Sequence, residues 1–201
     1  MDNAVKFRQK IDQGMPCLGT GVSFSDSTVA ELLSQAGMDF LWIDTEHNPL
    51  TTEAVQSHII ATRASDTAAL VRVGGLDQAL FKPVLDSGAD GVIVPLVRTA
   101  QDVEEAVALC RYPPQGSRGF GPRRVLRYGR LAIPEFCRLA NESVLVIVQI
   151  ELAEAVDNLD AILQTPGLDA IVVGPNDLAG SIGHMGEPNH PQVLDLVEDI
   201  V

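Results

Sequence analysis

The sequence predicts an α/β fold built on a parallel sheet, and two observations carry that expectation. Short, nearly unbroken apolar runs rich in Val and Ile recur along the chain, as in VLVIVQIE (144–151) and DAIVVG (169–174). Such runs are the pattern of strands buried on both faces. Segments with helical spacing alternate strictly with them through short connections, and that alternation implies a parallel sheet with right-handed crossovers.

Val5, Phe7 and Ile11 give a short amphipathic helix over 4–13, stopped by Gly14. CLGTGV (17–22) reads as the first strand. Thr28 and Glu31 fit a capping box ahead of Val29, Leu32, Leu33 and Ala36, and Gly37 ends that helix. The second strand, DFLWID (39–44), runs straight into Thr45-Glu46-His47. A helix over 52–63 precedes AALVRV (68–73), a third strand that carries Arg72 inside otherwise apolar sequence. Asp77 opens a helix with Leu80, Val84 and Leu85 on its face and Gly88 as its stop. DGVIVPLV (90–97) is the fourth strand, and Thr99 begins a helix to Cys110. From Arg111 to Arg130 the pattern breaks into four glycines, three prolines and six arginines, a long loop. A helix over 133–140 leads to the fifth strand at 144–151. Ala155, Leu159 and Ile162 mark the next helix, broken at Pro166-Gly167, and DAIVVG is the sixth strand. Val193, Leu196, Val197 and Ile200 form a terminal helix.

Six strand-helix units make either an open doubly wound sheet or a closed barrel, and an eight-unit barrel usually takes about 250 residues. A chain of 201 residues is two units short of that. No G-x-G-x-x-G follows the first strand, so dinucleotide binding is disfavoured. At 46% hydrophobic residues and a net charge of −13, the expectation is one soluble domain with a sizeable core. The 14 basic against 27 acidic residues argue against nucleic acid as a partner. Cys17, Cys110 and Cys137 lack metal or redox spacing and read as reduced core residues of a cytoplasmic protein. Neither a signal peptide nor a membrane span is expected.

Two strands end in carboxylates. Gln149 and Glu151 share one face of the fifth strand, and Asp177 follows a Gly174-Pro175-Asn176 turn after the sixth, about one strand-helix-strand unit later. Two acids without Cys or His beside them suit a hard divalent ion, Mg²⁺ or Mn²⁺, with open positions for water and substrate. They also suit the first turns of helices, where acids favour the dipole and cap N–H groups. His47 reads as a general base at a strand end or as a surface loop histidine; His58, His184 and His190 read as structural. Arg72 either pairs with one of these acids or binds a substrate anion, because a guanidinium in a strand is costly to bury alone. Arg118, Arg123 and Arg124 could meet a second acid group of a substrate or lie in a solvated loop. Lys6, Lys10 and Lys82 fall outside the strands, so Schiff-base chemistry has no candidate and carbonyl chemistry would rely on a metal.

IDTEHNP (43–49), LVRV (70–73), LDSGADGVIVPLV (85–97), RYPPQGSRGFGPRR (111–124), VQIE (148–151) and VGPNDL (173–178) together resemble the HpcH/HpaI aldolases. These are metal-dependent pyruvate aldolases, among them 4-hydroxy-2-oxoheptanedioate and 2-dehydro-3-deoxyglucarate aldolases. The resemblance implies a (β/α)8 barrel, here truncated after its sixth unit, over the single domain 1–201. It implies that Glu151 and Asp177 hold the metal (Mg²⁺ or Mn²⁺, with Co²⁺ as a further candidate) and that no organic cofactor is used. Gln149 and the backbone at Asn176 and Asp177 would bind pyruvate, with Asn176 where the family often has a smaller residue. His47 would be the general base, Asp86 the acid raising its basicity, and Arg72 the group stabilising transition-state charge. The implied partners are a 2-oxo acid, an aldehyde and further copies of the chain, since the family forms hexamers with an exchanged last helix.

The expected activity is retro-aldol cleavage of a 4-hydroxy-2-oxo acid, a diacid by preference, to pyruvate and an aldehyde. Two alternatives stand beside it: oxaloacetate decarboxylation through the same enolate, and an inactive fragment or ligand-binding scaffold whose barrel cannot close. Six strands leave an open edge, from which poor solubility or association is expected.

Overall fold

The computed structural model describes residues 2–201. Its six strands form one sheet in chain order: β1 (Gly19–Val22), β2 (Phe40–Asp44), β3 (Ala68–Arg72), β4 (Gly91–Val94), β5 (Leu145–Ile150) and β6 (Ala170–Val173). Every neighbouring pair is parallel. Sequential order without a reversal is that of a barrel wall, whereas a doubly wound sheet reverses at a switch point. Among the described residues β1 pairs only with β2 and β6 only with β5, so the wall is open between them.

The helices are α1 (Asp2–Asp12), α2 (Ser27–Gln35), α3 (Thr52–Ala61), α4 (Gln78–Ser87), α5 (Ala100–Cys110), α6 (Ile133–Ser143), α7 (Ala153–Asp157), α8 (Leu159–Leu163), α9 (Pro175–Ser181) and α10 (Pro191–Ile200). Alternation along each strand divides the apolar residues between two faces. Leu41, Ile43, Val71, Val92, Val146 and Val148 face outward and pack with Val55, Ile59, Phe81 and Val103 of the covering helices. The opposite parity, Phe40, Trp42, Leu70, Ile93, Leu145 and Ile147, packs inside the wall around Phe7 of α1. Thus α1 closes the amino end of the wall: Phe7 lies 5.4 Å from Phe40 between ring centroids, and Asn3 Nδ2 donates to the carbonyls of Thr62 and Thr67. At the carboxyl ends the inner row turns polar, with Asp44, Arg72, Gln149 and Glu151.

Several elements differ from the sequence-based expectation for local reasons. Only Phe7 of the expected α1 face is buried, since Val5 and Ile11 lie outside the contact with the wall. Asp26, not Thr28, caps α2 by accepting from Thr28 N–H at 2.9 Å. On α4 Phe81 takes the buried place expected of Leu80, while Asp77 and Gly88 cap it as predicted, with Gly88 at φ 94°. The helix after Glu151 is two short ones, α7 and α8, parted at Asn158. Gly174-Pro175-Asn176 opens α9 directly, with Pro175 in the first turn, where its missing N–H costs nothing. Cys110 is buried and its thiol is pushed up to about 12 by desolvation, whereas Cys17 and Cys137 are only partly buried. No helix among the described residues is long and apolar enough to cross a membrane.

Removing the ring that plugs the wall should open a cavity there. Phe7→Ala is expected to lower unfolding free energy by about 3 kcal/mol in urea titrations, with the far-ultraviolet spectrum retained.

Candidate active site

The polar ends of the inner row form one network at the carboxyl edge of the sheet. Register places Asp44 of β2 opposite Arg72 of β3, and Ile150 of β5 opposite Val173 of β6, so Glu151 comes beside Gly174. Arg72 Nε donates to Asp44 Oδ1 at 2.8 Å, its Nη1 lies 3.0 Å from Glu46 Oε2 and 3.5 Å from Gln149 Oε1, and the guanidinium sits 5.2 Å from the Trp42 ring centroid. Gln149 Nε2 in turn donates to Glu151 Oε2, and the Leu96 N–H donates to Glu151 Oε1 at 2.7 Å. Leu96 reaches that position with φ 57°, a conformation that non-glycine residues adopt only under strain.

Burial and charge set the protonation tendencies. Burial raises the Asp44 carboxyl, but the hydrogen bond and charge of Arg72, with the N–H groups of Glu46 and His47, outweigh it and hold it below the ordinary value. Glu46 goes the other way: burial pushes its carboxyl up, Arg72 and His47 oppose, and Glu151 and Asp44 add to the rise. Burial disfavours the Arg72 cation, yet Asp44, Glu46 and Glu151 keep it firmly charged.

Glu151 is 1% exposed and makes no ion pair with any described Arg or Lys. A buried carboxylate held only by two N–H groups calls for a nearby cation. Asp177 lies in the first turn of α9, three residues after Gly174. A Cβ at Gly174 would come 2.8 Å from Glu151 Oε2 and 2.9 Å from Gln149 Nε2, so only glycine lets β6 pass this close to the carboxylate. The donor set is all oxygen, which fits a hard divalent ion. A different group of three donors, His184, Glu187 and His190, lies between α9 and α10. Its two imidazoles are stacked 3.6 Å apart, so their in-plane lone pairs run side by side instead of converging.

The remaining expected residues divide between the two ends of the wall. His47 follows β2 with its side chain 62% exposed and Nε2 3.7 Å from Glu46 Oε2. Asn176 is exposed in the first turn of α9. A cavity of about 370 Å³ reaches Asp44, Asn48 and Arg72 from the open side of β1. Asp86 is not brought to His47. It sits in the last turn of α4, a helix that runs from the carboxyl end of β3 back to the amino end of β4, and it accepts from Arg118 at 3.1 Å. Arg124 is also at that far end, donating to the Ser87 carbonyl at 2.7 Å. His58 is buried against the Phe24 carbonyl, in a structural position. Sequence reasoning noticed Glu46 only as context for His47 and missed the Leu96 N–H and Gly174. The signal for Gly174 was the glycine directly after an apolar strand; nothing in the sequence marked Leu96.

The network sits at the carboxyl edge where α/β barrels place their active sites, and the chain belongs to the HpcH/HpaI aldolase/citrate lyase family, whose sequence model matches residues 22–201. It is 38% identical over 203 residues to the 4-hydroxy-2-oxo-heptane-1,7-dioate aldolase of Salmonella typhimurium, covering 100% of this chain and 76% of that one. A pyruvate aldolase of Rhizobium etli is 36% identical, with 97% of this chain and 76% of the relative covered. The fold superposes on the crystal structure of a HpcH/HpaI aldolase/citrate lyase family protein from Burkholderia cenocepacia with a TM-score of 0.89 and 35% identity, over 97% of this chain and 78% of that one.

Two outcomes follow from the network. Asp44→Asn should destabilise the protein by about 3 kcal/mol at pH 7 by leaving Arg72 underpaired. Because the Asp44 carboxyl is depressed in the fold, its contribution is present above the unfolded value of about 3.9 and is lost as pH falls through the lower folded value. Thermal melts of mutant and wild type should therefore begin to draw together below about pH 4 and meet only below the depressed folded value. Gly174→Ala should push Glu151 and Gln149 out of their hydrogen-bonded positions, lowering the melting temperature with the far-ultraviolet spectrum retained.

Proposed function

We propose that this chain is a divalent-metal-dependent pyruvate aldolase that cleaves a 4-hydroxy-2-oxo acid to pyruvate and an aldehyde, and runs the reverse addition. The observation that carries this reading is Glu151, a buried carboxylate that makes no ion pair with any described Arg or Lys, at the strand end beside Gln149 and Gly174. The names of the relatives support the same reaction.

Glu151 and Asp177 would hold Mg²⁺, Mn²⁺ or Co²⁺. When bound, such an ion supplies Lewis-acid stabilisation of the enolate charge left as the C3–C4 bond breaks. Gln149 orients the 2-oxo acid. The N–H groups of Asn176 and Asp177, which precede the first α9 bond from Leu178 N–H to the Gly174 carbonyl, receive its carboxylate. Arg72, kept charged by its acids, faces the oxygen where negative charge grows. His47 takes the proton of the C4 hydroxyl, with the raised Glu46 carboxyl beside it, and that proton is available to C3 when pyruvate forms.

Asp86 joins this scheme only between copies. Lying at the opposite end of the wall from His47 in its own chain, it would raise the basicity of a neighbour's His47 in a homo-oligomer. The free thiols suit a reducing, cytoplasmic setting.

Chelation of the purified protein is expected to abolish pyruvate release from 4-hydroxy-2-oxoheptanedioate, with Mn²⁺ restoring it, and Asp177→Ala should not be restored. Full turnover in a metal-free sample would end the proposal; much faster pyruvate formation from oxaloacetate would redirect it to decarboxylation. Mixing inactive His47→Ala and Asp86→Ala proteins under exchange conditions should recover a fraction of wild-type activity. Without recovery the shared site is wrong.

A further inference from the structure

A second cavity, of about 780 Å³, lies at the amino ends of β4 and β5, where Gly88 and Val144 line it, and the chemistry above makes no use of it. The size is ordinary for a small-molecule site, roughly 300–1,000 Å³. Its lining is partly apolar, with Phe136 and Leu131, and five arginines line it: Arg63, Arg118, Arg124, Arg127 and Arg130. These five are more than a third of the 14 basic residues in a chain with 27 acidic ones.

Three carboxylates answer these five groups. Asp90 accepts two bonds of 3.0 Å from Arg63, Asp86 accepts from Arg118, and Asp2 lies on the cavity wall. Among the described residues that leaves two more arginines than carboxylates around the cavity. Arg118 is 3% exposed and its Nε is buried without a hydrogen-bond partner. Burial, then the nearby charge of Arg63, lowers the Arg124 pKa, the signature of cations crowded without enough counter-charge. The close approach is built in at Gly88, where a Cβ would come 3.0 Å from Arg124 Nη1 and 2.8 Å from Val125.

We propose that this cavity binds a small organic dianion, carrying two carboxylates or one phosphate on an apolar body, at the end of the wall opposite the catalytic strand ends. Guanidinium groups, from the buried Arg118 to the exposed Arg127 and Arg130, grip both kinds of head group through paired N–H bonds, and the apolar part of the lining takes the body.

Calorimetry with glutarate and with phenyl phosphate tests this, in an Asp177→Ala background so that binding at the catalytic end, and the fate of the aldolase reading, stay separate. One probe is expected to bind once per chain with Kd of about 1 mM or tighter, and the tighter of the two identifies the head group. Arg127 and Arg130 are exposed, so Arg127→Gln with Arg130→Gln should keep the melting temperature and weaken binding about tenfold or more. Arg98→Gln, which removes a cation at the other end, should leave it unchanged. Saturation by neither probe, equal weakening in Arg98→Gln, or a double variant that changes only the oligomeric state would each overturn the proposal, the last by making this face a contact between copies.

Discussion

A guanidinium inside a β-sheet has to be neutralised where it stands, and the catalytic end of this wall is arranged around that requirement. Arg72 lies on the inner face of β3 with Asp44 directly opposite in register and Glu46 two residues further along the same chain segment. Neutralising it fixes more than charge. Asp44 also takes the N–H of Glu46 and the amide of Asn48 at 2.6 Å, so the turn that presents His47 is tied to the same carboxylate. Through Gln149 the network continues to Glu151, which acts on Arg72 from a distance and makes no ion pair with any described Arg or Lys.

Much of this could be read from the chain before folding it in space. The strands stand out because burial on both faces leaves little choice but Val, Ile, Leu and Ala. The carboxylates stand out because they end those runs, and Arg72 because it interrupts one. What stayed hidden depends on contacts across strands. Burial raises Glu46, with Arg72 opposing and Glu151 adding to the rise, and both of those groups come from other strand ends that no local spacing reveals. Asp86 was legible as a member of a family motif but not as a residue at the wrong end of its own barrel wall. Its place follows from helix direction, which the sequence implies only once the strands are assigned. Similarly, Asp26 displaced Thr28 as a cap because two plausible caps stood two residues apart and local pattern could not choose.

The two ends of the wall carry different electrostatic burdens. At the carboxyl ends, acids outnumber the single buried arginine. At the amino ends, the loop from Arg111 to Arg130 brings arginines against α4 and α6 in a protein that is otherwise strongly acidic. The loop has almost no regular structure of its own, only a single turn at Arg127–Gly129, and is held by its bonds to α4. The two ends of one wall thus present charge of opposite sign.

Leu96 shows what such a site costs the fold that bears it. A backbone at φ 57° suits glycine or asparagine, and the exposed leucine side chain gains little from burial in return. Replacement by glycine would relax the segment, and a search for heat-resistant variants would find that position early. The same relaxation would let the amide drift from the Glu151 oxygen it now pins. Resistance to heat and a firm hold on the Glu151 carboxylate are thus opposed at one peptide unit.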